Sequence, residues 1–77
     1  MSEAARILEA IRVVAKQPVN PDPEESLFES GILDSFALTD LVSALESEFG
    51  MTVPDSDLSP RKFESIAKIE AYIESHK

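Results

Sequence analysis

The sequence contains no cysteine and no tryptophan, and it has one histidine and two glycines among 77 residues. Without cysteine, disulfides, thiolate metal sites and thiol nucleophiles are all excluded. The histidine, His76, lies where a helix normally frays, so we interpret it as a surface residue. Asp55 and Asp57 lie in a predicted open turn, where nothing raises a carboxyl pKa towards that of a working acid. No catalytic pair, triad or zinc cluster can be assembled, and we expect a protein that is not an enzyme.

The middle of the chain lacks positive charge. Between Lys16 and Arg61 there is no basic residue, whereas ten acidic residues lie there, and the net charge of the chain is -8. This concentration of negative charge repels nucleic-acid phosphates and anionic lipid but attracts basic protein surfaces. We therefore expect basic protein partners and no nucleic acid. The alternative is that the acidity serves only solubility.

Long apolar runs are also missing. None approaches the roughly 20 residues that cross a bilayer, and the first residues do not resemble a targeting signal, so we expect a cytoplasmic protein without membrane insertion. A hydrophobic content of 43% is enough for a modest core. We predict one domain over residues 1–77 and a monomer.

The spacing of the apolar residues predicts an all-α fold, a small four-helix bundle with three longer helices and a short third one. The first helix is predicted over 3–16 with Ser2 as its N-cap, and a long proline-containing loop then runs to about residue 34. Because this loop is apolar near its end, we expect it to close over the bundle. The second helix is predicted from Asp34–Ser35 to Phe49, with Gly50 as its stop.

The segment after Gly50 is predicted to be extended, because Pro54 restricts the residue before it. Ser59 followed by Pro60 predicts a short third helix over 60–64, and Ser65 is the expected cap of a fourth helix that ends near residue 75. The predicted core consists of the apolar residues at helical spacing, those of the long loop and those of the extended segment: Ala4, Ile7, Leu8, Ile11, Val14, Ala15, Leu27, Phe28, Ile32, Leu33, Leu38, Leu41, Val42, Leu45, Phe49, Met51, Val53, Ile66, Ile69, Tyr72 and Ile73.

Ser35 is the candidate for chemistry, because it lies where the loop turns into the second helix. There its hydroxyl is expected to be exposed, with free backbone N–H groups pointing towards it. A phosphodiester at that position would be stabilised by roughly 0.3 to 1 kcal/mol through those donors and the helix dipole. The alternative is a purely capping role for Asp34 and Ser35, which contributes about 1 kcal/mol.

Two segments, Leu27–Phe36 and Leu41–Gly50, resemble the acyl carrier protein superfamily, whose Asp-Ser-Leu signature corresponds here to Asp34-Ser35-Phe36. The resemblance implies that Ser35 is the attachment site of 4′-phosphopantetheine, transferred from coenzyme A by a phosphopantetheinyl transferase that uses magnesium. It associates Asp34 with that metal and transferase. It also implies an acyl carrier protein that holds an acyl or aminoacyl group as a thioester on the arm, so the arm supplies the sulfur that the chain lacks.

The resemblance further implies a docking surface on the second helix. Helical geometry places Phe36, Asp40, Ser43 and Ser47 on its outer face. By resemblance, Asp40, Glu46 and Glu48 dock onto basic patches of the partner enzymes, and Phe36 packs against the same enzymes. These partners are a loading ligase and a downstream transferase or synthase. An ordinary solvated face is the alternative interpretation of these acids.

Some positions depart from carriers of fatty-acid synthesis. Ala37 and Ser47 replace residues that are commonly acidic there, and Arg61 and Lys62 bring positive charge to a region that is usually acidic. Residues 57–65 are instead similar to carriers loaded by a dedicated AMP-forming ligase, including D-alanyl and other aminoacyl types. Three hypotheses remain open: a freestanding acyl carrier, an aminoacyl or D-alanyl carrier, and an unmodified acidic helical adaptor.

Overall fold

The computed structural model describes residues 3–76, whose regular structure is helical. Helix α1 spans Glu3–Ala15, α2 spans Ala37–Phe49 and α3 spans Ile66–Ser75. A short 3-10 turn over Asp55–Asp57 lies between α2 and α3, and residues 3–76 form no strand. The predicted all-α fold is therefore confirmed. Within the same residues, no helix combines the length and apolarity that a bilayer crossing requires.

The count of four helices is not confirmed. The predicted third helix over 60–64 is wrong, because residues 60–63 form turns in which the N–H of Lys62 donates to the carbonyl of Ser59 at 3.2 Å. So short a segment gains too few helical hydrogen bonds to offset nucleation. Tertiary contacts also hold this segment in another conformation. The carbonyl of Glu64 accepts from the N–H of Leu27 at 2.7 Å, and the side chain of Phe63 is buried in the core.

The predicted ends of the other helices are largely confirmed. Gly50 ends α2 in the left-handed conformation, with φ at 63°, and its N–H donates to the carbonyl of Glu46. The Ser65 hydroxyl accepts from the N–H of Lys68 at 3.2 Å and so caps α3. The predicted cap of α1, Ser2, lies outside the described residues.

The core lies among the three helices and the loop that joins α1 to α2. Every fully buried large side chain belongs to the predicted set except Phe63. Each such side chain contributes roughly 1.5 to 3 kcal/mol by leaving water. The fully buried large side chains are Ile7, Ile11, Leu27, Leu41, Leu45, Phe63 and Ile69.

The loop closes over the bundle as predicted, and this positions the residues that follow it. Leu27 and Leu33 are buried, and the N–H of Leu33 donates to the carbonyl of Leu27 at 2.9 Å. Gly31 turns the chain between them with φ at 84°, a backbone conformation that residues other than glycine rarely adopt. Asp34 and Ser35 therefore follow directly on an anchored residue.

Candidate attachment site

The turn before α2 is closed by Asp34. Its Oδ1 atom accepts a hydrogen bond from the N–H of Ala37 at 2.9 Å, and its carbonyl oxygen accepts from the same N–H at 3.1 Å. The regular helix begins at Ala37, so the predicted start at Asp34–Ser35 is two to three residues early. Ser35 and Phe36 form the turn between cap and helix.

Ser35 is exposed in this turn. Within residues 3–76, its hydroxyl and the backbone N–H groups of Ser35 and Phe36 have no hydrogen-bond partner. Among the side chains that the structure describes, only Asp34 caps this turn, so the Ser35 hydroxyl is available for other chemistry. Free N–H groups at the positive end of a helix dipole are suitable neighbours for an anionic ester.

The second carboxylate oxygen of Asp34 is also available. Only Oδ1 is used by the cap, and Oδ2 has no partner among the described residues. A carboxylate oxygen beside an esterified serine is the kind of ligand that Mg²⁺ prefers. Residues 3–76 contain no group of three or more side chains that could hold a metal on their own. Any cation at Asp34 would need ligands from outside this chain.

The outer face of α2 is as predicted near the helix start. Phe36 is 88% exposed, an unusual state for a phenylalanine in water. Asp40, Ser43 and Ser47 are exposed as well, and Asp40 forms no ion pair within the described part of the chain. The start of α2 and the turn before it therefore present an exposed aromatic ring and a carboxylate that forms no ion pair with the described residues.

The other two predicted docking acids make internal contacts. Glu46 is half-buried, and its Oε2 atom accepts from the N–H of Val53 at 2.7 Å. Glu48 Oε1 accepts from Arg6 Nε at 2.8 Å, while the guanidinium of Arg6 lies 4.3 Å from the centre of the Phe49 ring. Arg6 and Glu48 are 42 positions apart, so sequence spacing gave no signal for this pair.

A polar cluster that sequence reasoning missed lies where the α2–α3 connection meets α3. Asp57 Oδ1 accepts from Lys62 Nζ at 2.6 Å and Asp57 Oδ2 accepts from the Tyr72 hydroxyl at 2.7 Å. The His76 ring stacks on Tyr72 with 4.0 Å between ring centres. His76 is thus exposed as predicted, but it is part of a cluster.

Charge and burial in this cluster move two pKa values in opposite directions. Burial, with the hydrogen bond to Asp57, raises the pKa of Tyr72 to about 12. The hydrogen bonds from Lys62 and Tyr72 hold the pKa of Asp57 below its usual value of 3.8. Asp57 is therefore a stable anion, as expected, but for a different reason: the turn is not fully open at Asp57, and the two hydrogen bonds outweigh the effect of its partial burial.

Comparison with known protein families gives one match that spans most of the chain. Residues 5–73 match the family described as the phosphopantetheine attachment site. The matched range includes the turn at Asp34 and Ser35 and all of α2.

Individual relatives are proteins named as D-alanyl carrier proteins. The chain is similar to that of Leuconostoc mesenteroides, at 29% identity over 91% of this chain and 90% of the relative. It is also similar to that of Streptococcus suis, at 35% identity over 82% and 80%, respectively. A D-alanyl carrier protein 2 of Lactiplantibacillus plantarum is 31% identical over 92% of this chain and 89% of its own length.

Proposed function

This chain belongs to the phosphopantetheine attachment-site family, within the acyl carrier protein superfamily, and we propose that it carries an aminoacyl group, of the D-alanyl type, on an arm attached to Ser35. The family implies a covalently attached 4′-phosphopantetheine. When bound, this group supplies a thiol at the end of a long flexible arm, on which an acyl group is held as a thioester. The observation that carries the proposal is the free, exposed Ser35 hydroxyl beside the capping Asp34.

The residues around Ser35 divide the work of the site. The Ser35 oxygen would become an ester oxygen of the phosphodiester, and the free N–H groups of the turn would lie close to its charge. Asp34 would keep the turn closed through Oδ1 and offer Oδ2 to the magnesium ion of the transferase during attachment. The fold supplies the position, and the partner enzyme supplies the catalysis.

The aminoacyl alternative is preferred to a fatty acyl cargo for two reasons. The relatives of similar length are named as D-alanyl carriers. In addition, the core beneath the helices is filled by side chains that are fully buried, such as Ile11, Leu41 and Ile69. A small aminoacyl group needs no shelter there, whereas a fatty chain would have to displace close-packed side chains.

We propose Phe36 and Asp40 as the principal docking residues, with Glu48 and Glu46 in lesser roles because both bind within the fold. The expected partners are a phosphopantetheinyl transferase, an AMP-forming ligase that loads the cargo, and the enzyme that accepts it. Residues 1–77 would act as one carrier domain, which agrees with the 90% coverage of the Leuconostoc relative. An unmodified adaptor is disfavoured, since the family is defined by its attachment site.

The cargo is tested on protein purified from its own cells. Tandem mass spectrometry of the peptide that contains Ser35 should show phosphopantetheine carrying an aminoacyl group, with a mass that hydroxylamine treatment removes. A long-chain acyl group on the arm would contradict the aminoacyl assignment but leave the attachment at Ser35 intact. An unmodified peptide in fully active cells would contradict both and favour the adaptor.

A further inference from the structure

Three basic side chains gather where the turn at residues 60–63 meets α3. Arg61, Lys62 and Lys68 line one open depression of about 450 Å³, together with Tyr72 and Ser75. We refer to these three basic residues as the cationic face. They supply most of the positive charge in the second half of a chain whose net charge is -8.

The acid in this depression does not neutralise the whole face. Asp57 is the acidic residue among those that line it, and its two oxygens are bound by Lys62 and Tyr72. Lys62 is thereby paired at 2.6 Å. Its charge is largely offset by an anion that stays ionised, because the pKa of Asp57 is held low.

The two remaining cations are weakly engaged. Lys68 Nζ lies 3.7 Å from Glu64 Oε2, and both side chains are substantially exposed, so this pair contributes little. Arg61 is exposed and forms no ion pair within residues 3–76. Within residues 3–76, Arg61 therefore presents an unpaired positive charge, and Lys68 presents one that Glu64 offsets only in part.

A local positive surface can act on its own in an acidic protein. Charges are screened beyond about 8 Å at physiological ionic strength, so a ligand at the cationic face responds mainly to the local groups. These are Arg61, Lys62 and Lys68 against Asp57 and Glu64, three positive charges and two negative ones, which leave a local net charge of +1. The acids of α2 then define a separate surface of opposite sign. A single uniformly basic partner surface would suit α2 but would be repelled here.

The cationic face is also distinct from the attachment end of the molecule. No residue of α2 or of the turn at Ser35 lines the depression. His76 in its wall also lines the neighbouring depression with Gly50, which follows the C-terminal end of α2. Ser35 precedes the opposite end of this 13-residue helix, which is about 20 Å long.

We propose that the cationic face binds an acidic segment of a partner protein, at a surface separate from the Ser35 end of α2. Its charges are spread over a turn and a helix around an open depression, which suits carboxylates distributed on a protein surface. A partner held there would leave Ser35 and Phe36 accessible. This assignment concerns Arg61 and Lys68 and does not depend on what the arm carries.

The test is a titration of the full ¹⁵N-labelled chain with a short peptide of alternating Glu and Gly, followed by amide chemical shifts at 0.15 M salt. Saturable shifts are expected in residues 60–63 and along the exposed side of α3. In the double variant Arg61→Gln, Lys68→Gln the affinity should fall about fivefold, the loss expected for two exposed ion pairs. The single variants Arg61→Gln and Lys16→Gln form a matched pair, since Lys16 is exposed and lies outside the face; only the former should weaken binding.

Three results would overturn the assignment. Shifts that are absent, or that fall outside residues 60–76, would remove the surface. Equal affinity in the double variant and the wild type would remove the role of Arg61 and Lys68. Inorganic phosphate that produced the same shifts at the same or lower concentration would identify a small-anion site instead of a protein-docking surface.

Discussion

Asp34 Oδ1 accepts the hydrogen bond of the Ala37 N–H at 2.9 Å, and this contact frees the neighbouring Ser35 from capping α2. Two adjacent polar residues at one helix start thus have different tasks. Asp34 holds the turn, and Ser35 keeps an exposed hydroxyl that has no partner among residues 3–76. The division can be tested because asparagine preserves the cap but removes the charge.

Replacing Asp34 by Asn and by Ala should separate these tasks. Asp34→Ala should lower the free energy of unfolding by about 1 kcal/mol, whereas Asp34→Asn should change it by a few tenths, since both Asp and Asn are good N-caps. Both variants should be modified more slowly by the transferase, because each lacks the carboxylate offered to magnesium. Urea unfolding followed by circular dichroism measures the first effect, and intact mass against time measures the second.

Asp55→Asn is the control for charge, since Asp55 is an exposed acid in the 3-10 turn. Its modification rate should match the wild type. An Asp34→Asn protein that is modified at the wild-type rate would restrict Asp34 to capping.

Phe36→Ala should impair loading without harming the fold. The ring is 88% exposed, so its removal should change the free energy of unfolding by less than about 0.5 kcal/mol. If the ring is an anchor for the loading ligase, kcat/KM should fall by about tenfold, mainly through KM. Val13→Ala is the matched control, because Val13 is a second exposed apolar residue, on α1. Equal loading of the two variants would contradict a docking role for Phe36.

Alanine substitutions of Glu46 and Asp40 should have different effects: the first should lower stability, and the second should weaken binding to the ligase. Glu46→Ala removes the acceptor of the buried Val53 N–H and should cost about 1 to 3 kcal/mol of stability, while Glu46→Gln, which keeps an acceptor, should cost less. Asp40→Ala should leave stability nearly unchanged and raise the KM of the ligase. Denaturant unfolding and loading kinetics on the same preparations measure both. A stable Glu46→Ala protein would show that the contact with Val53 is unimportant.

Tyr72 should titrate far above an ordinary phenol. It is the one tyrosine in a chain without tryptophan, so the absorbance change of phenolate formation reports it directly. The midpoint should lie at about 12 in the wild type and move towards 10.0 in Asp57→Asn, while Asp55→Asn should have no effect. A midpoint near 10.0 in the wild type would mean that neither the burial of Tyr72 nor its bond to Asp57 persists in solution, and an unchanged midpoint in Asp57→Asn would mean that the bond contributes nothing.

The shifted pKa values of Tyr72 and Asp57 also determine how the stability of the fold changes with pH. The pKa of Tyr72 is raised in the folded state, so its contribution is complete below pH 10.0 and is lost as pH rises through about 12. The pKa of Asp57 is lowered, so its contribution is present above 3.8 and is lost as pH falls through the lower folded value. Asp57→Asn should therefore remove the loss of stability that Asp57 causes at acid pH, and reduce without abolishing the loss at alkaline pH, because the burial of Tyr72 remains. Urea unfolding at a series of pH values would measure both effects.

The helices and the position of Ser35 were predictable because they depend on local patterns. Apolar spacing located Leu41 and Leu45 in the core, and the glycine at position 50 marked the end of α2. The short helix predicted over 60–64 failed because tertiary contacts decided there: Phe63 enters the core and Glu64 pairs its carbonyl with Leu27.

Polar pairs between residues far apart in the chain could not be predicted from the sequence. Glu48 was expected to face partners, and the structure places it against Arg6 at the start of the chain. The cluster of Asp57 and Tyr72 joins residues 15 positions apart through a turn whose shape no local rule supplies. In both cases an acid that looks free in the sequence is used by the fold.

The most direct test of the central claim is the intact mass of the recombinant protein after incubation with coenzyme A, Mg²⁺ and a broad-specificity phosphopantetheinyl transferase. Wild type and Ser47→Ala, which alters an exposed serine of α2, should each gain the mass of one phosphopantetheine group, and Ser35→Ala should gain none. A wild-type protein that stays unmodified, or an adduct that persists in Ser35→Ala, would contradict the account.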